Sequence, residues 1–415
     1  MARTYVAVVV SDSSKIKRIK TLLEREKLLN RNRKIRKTGS LTYVFSTLTE
    51  YAALESILGS EDEFDLVFYS SDDLANESSL TTITRSYLAE RNVAEDRINQ
   101  LLTYVPKKWS IYPPVVLLNP GTFDSSLWAE QFNMGIDKQD FCCTILSHCF
   151  PSGITHIAIN MPIAETDVMR RPMHIIPFSG DFGPEPTFEE PTQQDFNDAF
   201  WCSVIQNGIY QTWAPRYTMF SRGNIKEKKR ILDNFKCLQG QYVVDMYAGI
   251  GYFTLSYLAN GATVFCWEIN PWSIEGLSRG LKHNGYKYLV VKPEDVFNAS
   301  IFSESVQLGI KAFLFQESNE NALLRLSQLN IPISHINLGL LPSSEQSWAT
   351  SRSISQVIST LKSLIIHIHE NAHVDDFDSV KDRARRSFPG FHLEHIEKVK
   401  TYAPDVWHIV LDIAI

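Results

Sequence analysis

Two segments carry the strongest structural signal in this chain, Tyr242-Val-Val-Asp-Met-Tyr-Ala-Gly-Ile-Gly-Tyr-Phe-Thr-Leu255 and Val264-Phe-Cys-Trp-Glu-Ile-Asn-Pro271. In the first, an apolar run ends in Asp245 and a glycine-containing turn follows. In the second, an apolar run ends in Glu268, 23 residues after Asp245. This order is typical of a nucleotide site at the first crossover of a doubly wound sheet. The two segments therefore predict an α/β domain with a ligand site at the strand ends.

The turn between these segments discriminates between classes of nucleotide. Glycine lets the backbone approach a ligand closely, and a pyrophosphate-binding turn uses the pattern Gly-x-Gly-x-x-Gly. Here Ala248, Gly249 and Gly251 fit the start of such a turn, but Thr254 occupies the third glycine position. The pattern suits a nucleoside ligand without a pyrophosphate, such as S-adenosylmethionine (SAM). Glu268 is placed to accept hydrogen bonds from both ribose hydroxyls.

Length and charge limit the organisation of the chain and its partners. A chain of 415 residues is long for one domain, and 44% hydrophobic residues suffice for several cores. We predict domains at 1–115, 116–224 and 225–415, with a proline-rich shift near residue 115.

The net charge of −6 excludes a generally basic nucleic-acid binder, so any RNA contact is a local patch. Residues 1–40 hold 12 Lys and Arg against 3 Asp and Glu, and smaller basic clusters lie at 222–230 and 381–386.

The sequence gives no sign of a metal, a membrane or an obligate protein partner. The six cysteines lack zinc-ligand spacing and are interpreted as reduced thiols. Neither a signal peptide nor an 18-residue apolar run is present, so we expect a cytoplasmic protein.

Upstream of residue 225 the sequence predicts both strands and helices, without regular alternation. Strands are predicted over Tyr5–Val10, Leu41–Phe45, Ile154–Ile159 and Phe200–Trp213, helices over Lys15–Leu29, Thr47–Leu58 and Leu80–Leu102, and an ordered loop over Pro162–Pro191. This pattern indicates smaller α+β N-terminal and middle regions.

From residue 225, helices and strands alternate. The predicted strands are Tyr242–Tyr247, Ala262–Glu268, Tyr288–Val291, Ile333–Ile336, Leu364–His369, His392–Lys400 and Trp407–Ile415. The predicted helices are Ile225–Phe235, Tyr252–Ala259, Pro271–Asn284, Leu323–Leu329, Ser353–Leu361 and Asp376–Ser387. Such alternation predicts an α/β doubly wound sheet, the Rossmann-like fold of class I methyltransferases.

Ligands of such sheets lie beyond the carboxyl ends of the strands, where this sequence places polar side chains. Asp245 either orders the glycine turn or accepts a hydrogen bond from the amine of the ligand. Asp295 and the backbone of Val296 fit the adenine edge, and Asn337 opens a further loop at a strand end. Upstream, Ser221 and Arg222 start a helix that carries Lys228. A helix start with hydroxyl, guanidinium and free N–H groups suits a carboxylate, such as the one on the methionine arm of SAM.

Four motifs occur together in this order: Ser221-Arg-Gly-Asn-Ile-Lys-Glu-Lys228, Asp245-Met-Tyr-Ala-Gly-Ile-Gly-Tyr-Phe-Thr-Leu255, Glu268-x-Asn-Pro271 and Asn337-Leu-Gly-Leu-Leu-Pro-Ser-Ser344. With Thr155-His-Ile-Ala-Ile-Asn160 and Ile366-His-Ile-His-Glu-Asn371, they resemble the tRNA wybutosine-synthesizing protein 2 family, which is related to the tRNA guanine-37 N1-methyltransferases. The resemblance covers roughly residues 155–375.

The resemblance implies an enzyme that moves the 3-amino-3-carboxypropyl group of SAM, not its methyl group. The acceptor would be carbon 7 of 4-demethylwyosine at position 37 of phenylalanine tRNA, and 5′-methylthioadenosine would be released. Carried over by motif, the cofactor contacts would be Ser221, Lys228, Glu268 and Asp295 with Val296. Where the family has Gly-Asp-Asn, this chain has Glu294-Asp295-Val296, so a backbone N–H would replace the side-chain contact at position 296.

Two alternatives stay open. One is a guanine-37 N1-methyltransferase, although the apolar spacer between Asn337 and Pro342 suits a bulkier acceptor. The other is a non-catalytic RNA-binding protein with a vestigial SAM fold. The catalytic residues also stay open: His367, His369 and Asp245 are considered as the proton acceptor, and Trp213, Tyr252 and Phe253 as side chains that stack on an extruded base.

Overall fold

The structure, a computed structural model, describes residues 4–30, 33, 35–38, 41–58, 64–70, 80–160, 175–185, 187, 189–329, 331–357 and 360–414. It divides into two compact units, Met1–Val105 with Ser147–Cys149, and Pro106–Leu146 with Phe150–Ile415. The division into three domains stays a prediction. Within the described ranges, no helix is both long and apolar enough to cross a membrane.

The first unit is a small α+β structure. Its elements are β1 (Thr4–Val10), α1 (Ser13–Arg25), β2 (Arg36–Thr38), β3 (Leu41–Phe45), α2 (Tyr51–Leu58), β4 (Asp65–Ser70), α3 (Leu80–Glu90) and α4 (Glu95–Leu102). The strands form an antiparallel sheet in the order β2-β3-β1-β4, and alternate residues of β1 pack against α1 and α2. The helix predicted over Leu80–Leu102 is broken by a turn in which Asn92 has φ of +57°, a conformation that asparagine tolerates. Arg31 and Lys34 of the basic segment lie outside the described residues.

The second unit begins with a four-stranded sheet and a hairpin. Its first elements are β5 (Trp109–Tyr112), β6 (Val115–Leu118), α5 (Ser126–Asn133), α6 (Lys138–Cys149), β7 (His156–Asn160), β8 (Ile175–Ser179), α7 (Gln193–Asp198), β9 (Cys202–Gln206) and β10 (Ile209–Trp213). The sheet order is β5-β6-β7-β8, and β9 pairs with β10. The predicted loop over Pro162–Pro191 thus contains a strand, β8. Residues 162–174, 186 and 188 of that predicted loop lie outside the described ranges.

The rest of the second unit is an eight-stranded sheet between helices. Its elements are α8 (Ile225–Asn234), β11 (Tyr242–Asp245), α9 (Thr254–Ala259), β12 (Thr263–Trp267), α10 (Pro271–His283), β13 (Lys287–Val291), α11 (Ala299–Gln307), β14 (Ile310–Phe315), α12 (Ala322–Leu326), β15 (Ile333–Leu338), α13 (Trp348–Val357), β16 (Thr360–His373), α14 (Phe377–Ser387), β17 (His392–Ala403) and β18 (Val406–Ala414). The order is β13-β14-β12-β11-β15-β16-β18-β17, and only β18 runs antiparallel to both its neighbours. The predicted α/β doubly wound fold is confirmed.

One helix and one strand of this sheet were not predicted. Residues 299–315 form α11 and β14, and β14 inserts between β12 and β13. Its sequence Ile310-Lys-Ala-Phe-Leu-Phe315 is a short apolar run, which periodicity alone does not separate from a buried helix. Because β14 lies beside β12, the loop after it borders the predicted ligand site.

The two faces of the sheet differ in chemistry. One face is apolar and packs Val244, Ile336, Ile366 and Leu411, among others, against α11–α14. Paired residues of neighbouring strands project to the same face. On the face covered by α8 and α9, the register aligns the polar side chains of Asp245, Asn337, His367 and Asp412.

A buried ion cluster, Glu227–Arg230–Asp412, joins helix α8 to strand β18. The guanidinium of Arg230 donates to both oxygens of Glu227 at 2.8 and 2.7 Å, and to both oxygens of Asp412 at 2.5 and 3.1 Å. Nδ1 of His367 lies 2.6 Å from Asp412. Burial alone would raise the pKa of Asp412, but His367 and Arg230 hold that pKa well below its usual range. The cluster therefore fixes α8 on the sheet through charged hydrogen bonds.

We expect Arg230→Met to lower the free energy of unfolding by about 3–5 kcal/mol, because two buried carboxylates lose their counterion. All 8 tryptophans lie between residues 109 and 407, so urea unfolding followed by tryptophan fluorescence reports on the second unit. Lys229→Met is the matched control on the same helix, since Lys229 is exposed and pairs with Asp233 near the surface. That variant should change stability by less than about 0.5 kcal/mol. Equal losses in the two variants would contradict a structural role for the cluster.

Candidate functional site

The predicted glycine turn follows β11 and is held by β12 and α10. Gly249 and Gly251 have φ values of +55° and +85°, which favour glycine. A Cβ atom at Gly251 would lie 2.6 Å from Cδ1 of Leu277 on α10. The backbone N–H of Ala248 donates to the carbonyl of Trp267 at 3.0 Å, which ties the turn to the end of β12.

Glu268, the first residue after β12, reaches this turn directly. One carboxylate oxygen accepts from the N–H of Gly249 at 2.9 Å, and the other accepts from the N–H of Asn270 at 2.7 Å. Burial raises the pKa of Glu268 to about 7, although these backbone donors favour the charged form. Each oxygen keeps a further lone pair. The group is therefore oriented to accept two hydrogen bonds from a vicinal diol.

Asp245 is fully buried, and the protein supplies its donors. Its carboxylate accepts from the hydroxyl of Thr254 at 2.7 Å and from the amide of Asn337 at 3.0 Å. Burial raises the pKa of Asp245 against these donors. This arrangement joins β11, α9 and β15, so Asp245 and Asn337 hold the elements around the glycine turn together. The side-chain oxygen of Asn337 has no hydrogen-bond partner among the described residues.

Asp295 and Val296 lie in the loop after β13, next to the loop after β14. The carboxylate of Asp295 accepts from the N–H of Lys292 at 2.8 Å and thereby closes its own turn. Arg325, which is ion-paired with Glu317, donates at 2.8 Å to the carbonyl of Asp295 and pins the loop. Val296 is 73% exposed, so the residue is accessible from solvent.

The upstream segment places Lys228 beside the glycine turn. Lys228 is buried, and its ammonium group donates to the side-chain oxygens of Gln206 at 3.0 Å and Gln211 at 2.5 Å. Gln211 in turn donates to the carbonyl of Gly251 at 3.1 Å. The rings of Phe220 and Tyr252 lie 4.9 and 5.3 Å from the same ammonium.

No carboxylate pairs with Lys228 among the described residues, and burial lowers its pKa to about 7. A buried ammonium held by neutral amides and aromatic faces is well placed for an anionic group brought by a ligand. Ser221 lies half-buried at the start of the short helix that leads into α8, and Arg222 is exposed. The structure thus links Lys228 through Gln211 to the turn of Gly249 and Gly251. The side chain of Arg222 is exposed to solvent.

Several residues around this site were not predicted. Gln206, Gln211, Arg325 and Lys400 have no motif of their own, and each acts through a partner distant in sequence. The single strand predicted over Phe200–Trp213 is a hairpin of β9 and β10, in which Gln206 pairs with Ile209 and Gln211 with Val204. The turn residues Asn207-Gly208 are the local signal that could have revealed it.

The structure separates the residues considered for stacking and proton transfer. Trp213 and Phe253 lie in the core, whereas Tyr252 is half-buried beside Lys228. His367 is engaged on both nitrogens, by Asp412 and by His335. His369 contacts His408 through Nδ1 at 3.0 Å, and its Nε2 has no hydrogen-bond partner in the described ranges.

The part of the chain that the structure describes has no cluster of metal-ligating side chains. It contains no group of three or more His, Cys, Asp or Glu side chains that could hold a metal ion. The cysteines there are free thiols, and burial raises the pKa of Cys142 and Cys149 to about 11.

Comparison with known proteins agrees with this geometry. A family model described as the TRM5/TYW2 methyltransferase domain matches residues 204–304. The tRNA wybutosine-synthesizing protein 2 of Saccharomyces cerevisiae is 39% identical over 390 residues, which cover 81% of this chain and 80% of that protein. The protein of the same name from Schizosaccharomyces pombe is 42% identical over 316 residues, covering 74% of this chain and 72% of that protein.

A solved structure described as P. horikoshii TYW2 in complex with MeSAdo matches with a TM-score of 0.51 at 17% identity, over 80% of this chain and 98% of that chain. This match supports the fold. With 39% identity to the S. cerevisiae protein over most of both chains, the chain belongs to the tRNA wybutosine-synthesizing protein 2 family.

Proposed function

We propose that this enzyme transfers the 3-amino-3-carboxypropyl group of SAM to carbon 7 of 4-demethylwyosine at position 37 of phenylalanine tRNA. The second product is 5′-methylthioadenosine, and the reaction is a step of wybutosine synthesis. The observation that carries this proposal is the buried ammonium of Lys228, which has no acidic partner among the described residues and lies next to the glycine turn.

The side chains of the site match the parts of SAM. Glu268 presents two oriented oxygens for the ribose hydroxyls. The exposed loop of Asp295 and Val296 offers backbone and side-chain groups for the adenine edge. Lys228 offers a charged donor to the carboxylate of the amino-acid arm, and a charge-assisted hydrogen bond there is among the stronger kinds available.

Orientation decides which carbon of a sulfonium reacts. SAM supplies an electrophilic sulfonium with three different carbon substituents, of which the methyl carbon is the least hindered. A protein that selects the arm must hold its carboxylate firmly, so that the arm carbon faces the acceptor. Lys228 meets this need because it is fixed by Gln206 and Gln211 on one hairpin and lies on a helix clamped to the sheet.

Isotope labelling separates this reaction from that of a guanine-37 N1-methyltransferase. We expect SAM labelled in the aminocarboxypropyl carbons to label tRNA that carries 4-demethylwyosine, and SAM labelled in the methyl group to leave it unlabelled. The methyl label should instead appear in released 5′-methylthioadenosine. Liquid chromatography with mass spectrometry of digested tRNA provides the measurement. Methyl label in the tRNA would refute the proposal, and absence of both labels from the tRNA would favour a non-catalytic RNA-binding protein.

The second prediction concerns Glu268 and uses 5′-methylthioadenosine as the probe, because this ligand lacks the arm that Lys228 binds. Glu268→Gln should weaken its binding by about 10-fold or more, as expected for hydrogen bonds to a charged group. In the unaltered protein, affinity should fall as the pH drops below about 7, where the raised pKa lets Glu268 become protonated. The Gln variant should lose this pH dependence.

Glu275→Gln is the control for that measurement, since it makes the same charge change on α10, where Glu275 pairs with Arg279. Isothermal titration calorimetry between pH 6 and 8 supplies both readouts. An unchanged affinity in Glu268→Gln would remove Glu268 from the ribose site.

A further inference from the structure

Lys400, on the edge strand β17, reaches the predicted arm-binding segment around Ser221. Its ammonium lies 3.4 Å from the hydroxyl of Ser221, 179 residues away in sequence. The side chain passes over Gly223: a Cβ atom there would lie 2.3 Å from Cδ and 2.5 Å from Nζ of Lys400. Glycine at position 223 therefore leaves the space that this lysine occupies.

The surroundings of Lys400 leave its charge uncompensated. No acidic side chain pairs with it in the described part of the chain, and burial lowers the pKa of Lys400. Burial, with a smaller effect of the Lys400 charge, lowers the pKa of His408 to about 3. The residue paired with Lys400 on β18 is therefore a neutral imidazole. A half-buried ammonium in contact with a hydroxyl and beside a neutral ring still lacks a strong acceptor.

Lys400 and Lys228 bracket one short segment. Lys228 lies beside the ring of Phe220, and Lys400 reaches the hydroxyl of the next residue, Ser221. The hydroxyl of Ser221 is a predicted contact of the arm carboxylate, so an ammonium group 3.4 Å from that hydroxyl can reach the same carboxylate. The common ligand that both can serve is a carboxylate.

We propose that Lys400 is a further cofactor-binding residue, which binds the carboxylate of the amino-acid arm of SAM together with Lys228. This inference rests on the proposed function, because that function supplies the ligand. In this arrangement the C-terminal hairpin closes the arm end of the site. It adds a second charged hydrogen bond to the part of SAM whose orientation selects the transferred group.

The test compares ligands that carry the amino-acid arm with one that lacks it. SAM and S-adenosylhomocysteine carry the carboxylate, whereas 5′-methylthioadenosine does not. We expect Lys400→Gln to weaken binding of SAM and of S-adenosylhomocysteine by about 10-fold or more, since a charge-assisted hydrogen bond is lost. Binding of 5′-methylthioadenosine should change by less than about twofold. Calorimetry measures all three, and Lys400→Arg, which keeps the charge, should recover most of the affinity for SAM.

The controls separate a binding role from a structural one. Lys229→Gln, an exposed lysine on α8, should leave all three affinities unchanged. If Lys400→Gln weakened 5′-methylthioadenosine as much as SAM, Lys400 would be a structural residue and the inference would fail. If it left SAM binding intact and weakened only tRNA binding, Lys400 would contact a phosphate, which also overturns the inference.

The outcome for Lys400 is distinguishable from that for the overall reaction. Selective loss of SAM and S-adenosylhomocysteine binding in Lys400→Gln supports the inference whichever label reaches tRNA. If methyl label enters tRNA, the transfer assignment fails while the Lys400 site stands. If the unaltered protein binds neither SAM nor 5′-methylthioadenosine, both proposals fail together.

Discussion

The position of helix α8 depends on one guanidinium, that of Arg230, held between Glu227 and Asp412 below the surface. Burying three charges is costly, and the cost is offset only when geometry and hydrogen bonding are good. Here both carboxylates are bound through two oxygens, and His367 adds a further contact to Asp412. This constraint matters for the site because Lys228 lies on the same helix. A helix fixed from its buried side presents that lysine in one place.

The same face of the sheet carries a polar network that runs from the Glu227–Arg230–Asp412 ion cluster toward the strand ends. His335 contacts His367, which contacts Asp412, while His369 pairs with His408 nearer the ends of β16 and β18. Burial lowers the pKa of His335 to about 3 and drives that of His369 well below its usual range. The imidazoles of His335 and His369 are therefore neutral at physiological pH. The network adds hydrogen bonds between β15, β16 and β18, and the opposite face stays apolar.

Local pattern sufficed for much of the fold and for part of the site. Glycine spacing and the two apolar runs place Gly249 and Glu268 together, because parallel neighbouring strands end at the same edge of the sheet. Pattern did not reveal β14, whose six residues lack a distinguishing period. It did not separate Trp213, a core residue, from a stacking side chain, since both are aromatic residues near a strand end. The Arg230–Asp412 and Lys400–Ser221 contacts each join residues more than 170 positions apart in sequence. Composition and local spacing do not predict such contacts.

Charge that the fold leaves unpaired points to the ligand it serves. Two cations with a structural role are paired with carboxylates: Arg230 contacts Glu227 and Asp412, and Arg325 contacts Glu317. Lys228 and Lys400 have no such carboxylate among the described residues, and burial lowers the pKa of both. A purely structural lysine would gain stability from an acidic partner or from exposure to water. Neither the buried Lys228 nor the half-buried Lys400 has an acidic partner among the described residues. An anion that arrives with the substrate explains both better, and for SAM that anion is the carboxylate of the arm that is transferred.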